Sequence, residues 1–281
     1  MEKTDHFLEQ VRDAVACEKL LLPSLPDIAL KIKAECEKED TSADKIAEVI
    51  IQDPAMTVRL LQIANSSLYR GKTVTDKVQM AITRLGLKLV KELVMSLSMK
   101  QLYNASSNVV AERFNELWLT STKTAAIAHL LATKHKHLDA EKAMLAGLIH
   151  NIGALPIILM AEDDDDLFDR PDALLNIIQV MQGEIGAYIF KKWHFPDYMI
   201  DVASQCHNYT RNHNHNHNNL ADYIDVVQVA LVQSSIYTGL DCPEDWSTIS
   251  AFSRLDIDTE SNILDIEENK IIFNEVTMLF K

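Results

Sequence analysis

Apolar residues recur at helical spacing along most of the chain. Val78, Ala81, Ile82 and Leu85 show the pattern clearly, because positions three and four apart share one face of a helix. Alternating apolar and polar runs, typical of half-buried strands, are few, and only 7 glycines and 7 prolines occur among 281 residues. The pattern therefore predicts an all-α protein.

Local signals mark several helix ends. Asp53 and Pro54 predict an N-cap and a first-turn proline for a helix over 55–66, and Thr75 and Gly86 predict the cap and the end of the next helix. Further helices are predicted over residues 26–36, 43–52, 87–103, 109–134, 140–149, 173–181, 184–193, 196–207, 220–238 and 269–281.

The most apolar stretch, residues 145–161, tests whether the chain crosses a membrane. His150, Asn151 and Pro156 interrupt it, so it predicts a buried helix and turn instead of a membrane span. The N-terminus, residues 1–5, lacks the basic start and apolar run of a secretory signal. Both features favour a soluble protein that is not exported.

Charge narrows the range of partners. Lys and Arg total 27 against 41 Asp and Glu, a net charge of −14. Such a field repels nucleic-acid phosphate and anionic lipid, so neither is expected as a direct partner, whereas a basic protein surface suits it. The four cysteines lie far apart, with no Cys-x-x-Cys pair, which favours reduced thiols and a cytoplasmic location. These are Cys17, Cys36, Cys206 and Cys242.

The segment Gly147–Gly153 carries the most informative chemistry. It places His150 next to Asn151 at a predicted helix end and resembles the stretch that carries a His-Asp pair in the HD superfamily of metal-dependent phosphohydrolases. In that superfamily imidazole and carboxylate hold the divalent ions that activate water. An asparagine amide brings no negative charge, so it cannot help to neutralise a dication.

Several further motifs occur together and in a fixed order. Leu-Pro-x-Leu-Pro predicts an extended entry, Asn65 and Ser66 are expected to end a helix, and Trp118 and Trp193 are expected to anchor the core. The motifs lie at residues 22–26, 51–61, 64–66, 81–86, 118–121, 147–153, 193–196 and 220–239. Together they resemble the HDOD family, HD-related output domains of bacterial signalling proteins, over about residues 18 to 240.

The resemblance implies a division of the chain. An HDOD-like domain would span 18–240, with an N-terminal helical subdomain, 22–103, packed on a degenerate HD-like half, 109–239. The cleft between these parts would be the interaction site. Residues 241–281 would form a C-terminal helical appendage.

The resemblance also locates the positions of an HD metal site. Where HD proteins have an early His, the His-Asp pair and a late Asp, this chain has Ser121, His150 with Asn151, and Leu231. Two further positions that often carry histidine in HDOD sequences hold Gln182 and Cys206, the latter followed by His207. His150 and His207 remain as candidate metal ligands, with Cys206 a weaker one. From the residues alone, His150 is better explained as a buried helix-end histidine bonded to a backbone carbonyl or a nearby amide.

The resemblance therefore implies a catalytically inactive HDOD module of signal transduction that binds a protein partner, with a small ligand as a further option. No catalytic residue and no cofactor is expected. The alternative is a metal-dependent phosphohydrolase or phosphodiesterase that acts on a nucleotide or cyclic dinucleotide with an atypical ligand set. Only this alternative requires a divalent metal.

Two polar segments are predicted to be surface loops. Residues 162–166 are consecutive acids, and residues 211–219 alternate asparagine with His213, His215 and His217. Neutral imidazoles on a flexible loop must lose chain entropy before they chelate. These histidines are therefore expected to bind nickel, copper or zinc only adventitiously.

Overall fold

A computed structural model of the chain describes residues 2–162, 164, 170–211, 220–238, 242–243 and 245–281, and this part contains helices and loops without a strand. The α-helices are α1 Glu2–Ala16, α2 Asp27–Cys36, α3 Ala43–Ile51, α4 Pro54–Ala64, α5 Val78–Leu85, α6 Leu87–Ser98, α7 Asn108–Thr133, α8 Ala140–Ile149, α9 Ala154–Ala161, α10 Pro171–Lys192, α11 Asp197–Gln205, α12 Tyr223–Thr238, α13 Ser250–Arg254 and α14 Glu267–Leu279. Short 3₁₀ turns occupy Met99–Tyr103, Trp246–Thr248 and Ile263–Asp265. The predicted all-α fold is confirmed.

The local signals around α4 and α5 behave mostly as predicted. The Asp53 carboxylate accepts a hydrogen bond from the Met56 amide at 3.0 Å, and Pro54 opens α4. Gly86, with φ of 84°, ends α5. The prediction that Thr75 caps α5 is wrong, because α5 begins at Val78 and the Thr75 amide instead donates to Asn65 Oδ1 at 2.9 Å.

The prediction of separate helices over 173–181 and 184–193 is also wrong, since α10 runs without a break through Gly183 and Gly186. A Cβ at either glycine would lie 3.1–3.2 Å from Ala203 of α11. The glycines let α11 approach α10 closely, and this tertiary packing outweighs their low helix propensity. The helix α1 was not predicted, although Phe7 and Val11 are both buried.

The core is continuous between the two predicted parts of the domain. One cluster of buried side chains extends from Ile32 and Leu60 of the N-terminal helices to Phe190 of α10 and Leu231 of α12. A second cluster lies beneath α13 and joins α7 and α12 to the C-terminal segment. The division at 103, 109 and 240 stays a prediction.

The C-terminal segment is packed into this core. Trp118 of α7 is buried, as expected, and its indole N–H donates to the Phe280 carbonyl at 3.3 Å. The two rings meet edge to face with centroids 6.0 Å apart. Val276 and Phe280 are themselves buried. The end of the chain therefore covers a part of α7 that would otherwise be exposed.

The Trp-His-Phe-Pro motif ends α10 and is fastened to the N-terminal helices. Lys33 of α2 donates to the carbonyl oxygens of Trp193 at 2.7 Å and His194 at 2.9 Å. A cation at a helix C-terminus also interacts favourably with the helix dipole. Trp193 is half-buried against Phe190 and Phe195, so it contributes to the core as expected but at its edge.

Two helical stretches, Ala140–Ala161 and Asp172–Lys192, are long and apolar enough to cross a membrane by length and composition. Within the protein 89% and 56% of these stretches are buried, which is typical of core helices. The predicted acidic loop falls mostly outside the described residues, and so do His213, His215 and His217.

Candidate functional site

The turn that carries His150 and Asn151 is held between α7 and α10 by two close backbone approaches. A Cβ at Gly147 would lie 3.0 Å from the Cα of Ala125 in α7. A Cβ at Gly153 would lie 2.0 Å from the backbone oxygen of Gln182 in α10. Both positions require glycine for steric reasons, and they bring α8, α7 and α10 together at one place.

His150 directly follows α8 and is 2% exposed. Its Nδ1 lies 2.7 Å from the backbone oxygen of Gly147, so Nδ1 carries a proton and donates, which leaves Nε2 as an acceptor. Burial and, to a smaller extent, the nearby His207 lower the pKa of His150 to about 3, against the opposing effect of the bond to Gly147. His150 thus has the geometry expected of a neutral helix-end histidine.

Asn151 uses both ends of its amide. The Tyr103 hydroxyl donates to Asn151 Oδ1 at 2.9 Å, and Asn151 Nδ2 donates to Ser121 Oγ at 2.9 Å. Ser121 in turn donates to the Leu117 carbonyl at 2.8 Å. All three side chains, Tyr103, Asn151 and Ser121, are buried, and burial raises the pKa of Tyr103. Sequence reasoning did not identify Tyr103, because no motif links it to a residue 48 positions away.

Gln182 and His207 form a second polar contact beside His150. Gln182 Nε2 lies 3.2 Å from His207 Nε2, so the amide donates and the proton of His207 is on Nδ1. Burial lowers the pKa of His207 to about 4. The rings of His150 and His207 have centroids 5.9 Å apart. Both histidines are therefore neutral at physiological pH.

The remaining three positions implied by the resemblance hold Ser121, Cys206 and Leu231, and none of them offers a metal ligand. Cys206 is fully buried, and burial raises the pKa of its thiol to about 12, which disfavours a thiolate. Leu231 contributes an apolar side chain beside the histidines. Ser121 lies behind Asn151, to which it is bonded.

A cavity of about 570 Å³ lies beside the two histidines. His150, Asn151, Gln182 and His207 line its polar side. Its apolar walls comprise Leu117, Leu119, Ile158, Leu174, Leu175, Ile178 and Leu231. Charged residues that reach solvent also line it, namely Arg113, Glu116, Lys123 and Asp172, together with Thr120, Gln179, Tyr209 and Cys242.

The cavity lies within the predicted HD-like half. Another cavity, of about 650 Å³, lies where the two parts meet and is lined by Leu25 and Lys33 from one part and Tyr188 and Trp193 from the other. The interaction site expected in the cleft between the parts stays a prediction.

The side chains in the cavity do not fit an HD-type metal centre. Within the described ranges no group of three or more His, Cys, Asp or Glu residues could hold a metal ion. Glu116, which lines the cavity, is exposed and paired with Arg113 at 3.1 Å. Catalytic zinc sites use three protein ligands, and carboxylates hold harder ions such as magnesium. Two neutral imidazoles fall short of either set.

Comparison with known proteins agrees with this architecture. A sequence model of the HDOD domain matches residues 22–209. An uncharacterised protein of Treponema pallidum (strain Nichols) is 26% identical over 196 residues, which are 66% of this chain and 38% of that protein. This chain therefore spans little more than a third of that relative's length.

Solved structures share the fold. A "putative metal-dependent phosphohydrolase" from Shewanella amazonensis SB2B has a TM-score of 0.85 and 26% identity, with 100% of both chains covered. A "putative signal transduction protein" from Marinobacter aquaeolei VT8 has a TM-score of 0.64 and 18% identity, with 99% of this chain and 66% of that chain covered. The second likeness concerns the fold alone.

Proposed function

This chain belongs to the HDOD family, and we propose that it acts by binding a signalling protein, without catalysing a reaction. A regulatory module of HDOD type fits the family and the similar structures. The observation that carries the proposal is the amide of Asn151, which is held at one end by Tyr103 and at the other by Ser121. The resemblance implies that an HD hydrolase has a metal-binding carboxylate at this position, whereas the amide of Asn151 bonds to two neighbouring side chains.

A partner with a basic surface suits the net charge of −14, whereas nucleic acid and anionic membrane do not. The absence of paired cysteine motifs supports a cytoplasmic location. A pull-down with the untagged chain immobilised at low salt, repeated at high salt, tests the partner. We expect a basic protein that is retained at low salt and released as salt screens the charges.

A metal-dependent phosphohydrolase is the second candidate, and two observations favour it. The Shewanella protein is described as a "putative metal-dependent phosphohydrolase", and the cavity of this chain contains two adjacent histidines. Its substrate would be a nucleotide or a cyclic dinucleotide. The two candidates differ in their need for metal.

Metal content and hydrolysis together separate the candidates. We expect untagged protein, dialysed without chelator, to contain well below one transition metal per chain. We also expect no turnover of phosphomonoesters, nucleotides or cyclic dinucleotides with Mg²⁺, Mn²⁺ or Fe²⁺. A near-integer metal content that is lost in His150→Ala, or turnover that scales with protein and disappears in that variant, would favour the hydrolase.

A further inference from the structure

We propose that the cavity bordered by His150, Gln182 and His207 binds a small uncharged organic molecule with an apolar body and one N–H or O–H group, which donates to His150 Nε2. This inference rests on the proposed function, because a bound metal would occupy the same nitrogen. It adds a ligand class to a site that has lost the donor set of a hydrolase.

The cavity contains acceptors that lack partners. His150 Nδ1 is committed to the Gly147 carbonyl, and within the described part of the chain Nε2 has no hydrogen-bond partner although the ring is 2% exposed. The side-chain oxygen of Gln182 likewise lacks a bond to another described residue, since Gln182 uses its nitrogen toward His207. Neither acceptor atom is sealed from solvent, so water can reach both in the free protein, and a ligand that supplies an N–H or O–H takes the place of that water.

The charge state of the cavity excludes ionic ligands from its polar side. Burial lowers the pKa of His150 to about 3 and that of His207 to about 4, so neither imidazole offers a cation to a phosphate or carboxylate. The charged residues of the lining, Arg113, Glu116, Lys123 and Asp172, all reach solvent. An ion held against the two rings would therefore lose hydration without gaining a counter-charge from either imidazole.

The walls favour an apolar body. Seven leucine and isoleucine side chains face the cavity, and its volume of about 570 Å³ lies within the range of small-molecule sites. An adjoining groove of about 660 Å³ shares Gln179 and His207 with it and runs beside α10 and α11. The groove and the cavity therefore meet at His207.

Pairs of isomers test the hydrogen bond at constant size and composition. The probes are 3-methylindole against 1-methylindole, and 4-methylphenol against anisole; only the first member of each pair has an N–H or O–H. We expect calorimetric titration to give about tenfold tighter binding for that member. Long-range proton–nitrogen spectra should show the His150 Nε2 resonance shifting with 3-methylindole but not with 1-methylindole.

Substitutions test whether the preference between isomers arises at His150. His150→Phe keeps a planar aromatic ring but removes the acceptor, so it should abolish the preference between isomers. His137→Phe should retain the preference, because His137 contacts the Ala221 carbonyl outside the cavity. If His150→Phe does not fold, Leu175→Trp serves instead. Leu175 lines the cavity but is 39% exposed, so the larger ring is tolerated and should weaken both isomers.

Equal binding of both isomers in both pairs, or a preference that survives in His150→Phe, would overturn the inference. Metal analysis of the same preparation distinguishes failure of the proposed function from failure of the proposed ligand class. Near-integer metal would contradict the proposed function, whereas metal-free protein with equal isomer binding would contradict only the ligand class.

Discussion

Asn151 shows how one altered side chain changes the chemistry of its surroundings. Its amide accepts from Tyr103 and donates to Ser121, which an aspartate cannot do, because a carboxylate has no donor. The hydroxyl hydrogen of Ser121 is already given to the Leu117 carbonyl. An aspartate at this position would therefore bring a carboxylate oxygen against Ser121 Oγ in a buried site, with no hydrogen between the two oxygens.

We predict that Asn151→Asp lowers the free energy of unfolding by about 2 kcal/mol, the cost of a buried polar group without its partner. It should not create hydrolysis, since the other ligand positions hold Ser121 and Leu231. Urea denaturation and an assay with added metal measure both effects. Asn104→Asp is the control, because Asn104 is exposed and its variant should be nearly neutral. An Asn151→Asp protein as stable as the parent and newly active would contradict this account.

Burial of His150 also makes stability depend on pH. The folded pKa is about 3 against about 6.5 for an unperturbed histidine, so the unfolded chain binds the proton first as pH falls. The stability from neutral His150 is therefore complete above about pH 6.5 and is lost progressively down to about pH 3. Between pH 7 and pH 5 we expect a loss of about 2 kcal/mol from this residue.

Urea titrations at several pH values measure this loss, and His150→Phe should remove its share of the slope. His6→Phe is the control, since His6 is exposed. An unchanged pH slope in His150→Phe would show that this histidine is not neutralised by folding.

At the level of elements, the turn between α8 and α9 depends on contact with α10. We predict that Gly153→Ala destabilises the fold by about 3 kcal/mol or more, because its Cβ would lie 2.0 Å from a backbone oxygen that cannot rotate away. Gly71→Ala is the matched control, since its Cβ would meet only the flexible Arg84 side chain at 3.3 Å. Thermal unfolding compares the two variants, and a similar midpoint in both would contradict the steric argument.

The same contacts show what the sequence could and could not predict. Signals within one turn, such as Asp53 with Pro54 or Gly86, gave correct helix ends. The motif resemblance also selected four positions that line one cavity, namely His150, Asn151, Gln182 and His207. The continuity of α10 and the role of Tyr103 depend on partners distant in sequence, Ala203 and Asn151, and no local pattern encodes them.

At the scale of the whole molecule, the C-terminal segment and α7 stabilise each other. Phe280 is 2% exposed against Trp118, whereas Met278 two residues earlier is 61% exposed. We predict that Phe280→Ala lowers the free energy of unfolding by about 3–5 kcal/mol and that Met278→Ala changes it little. Denaturation followed by tryptophan fluorescence reports both the loss and the exposure of Trp118. A neutral Phe280→Ala would instead support a loosely attached appendage.

The hydrogen bonds among Tyr103, Asn151 and Ser121 also limit which substitutions can be accepted one at a time at these three positions. Each of the three side chains forms a hydrogen bond with a buried polar group of its neighbour. Changing one of them alone leaves that group without its partner and gives a less stable intermediate. Replacing Asn151 by aspartate, which makes a His-Asp pair, must pass through that intermediate or alter several positions at once. Among related sequences, asparagine at this position should therefore co-occur with hydroxyl-bearing residues at the other two, and aspartate should appear without them.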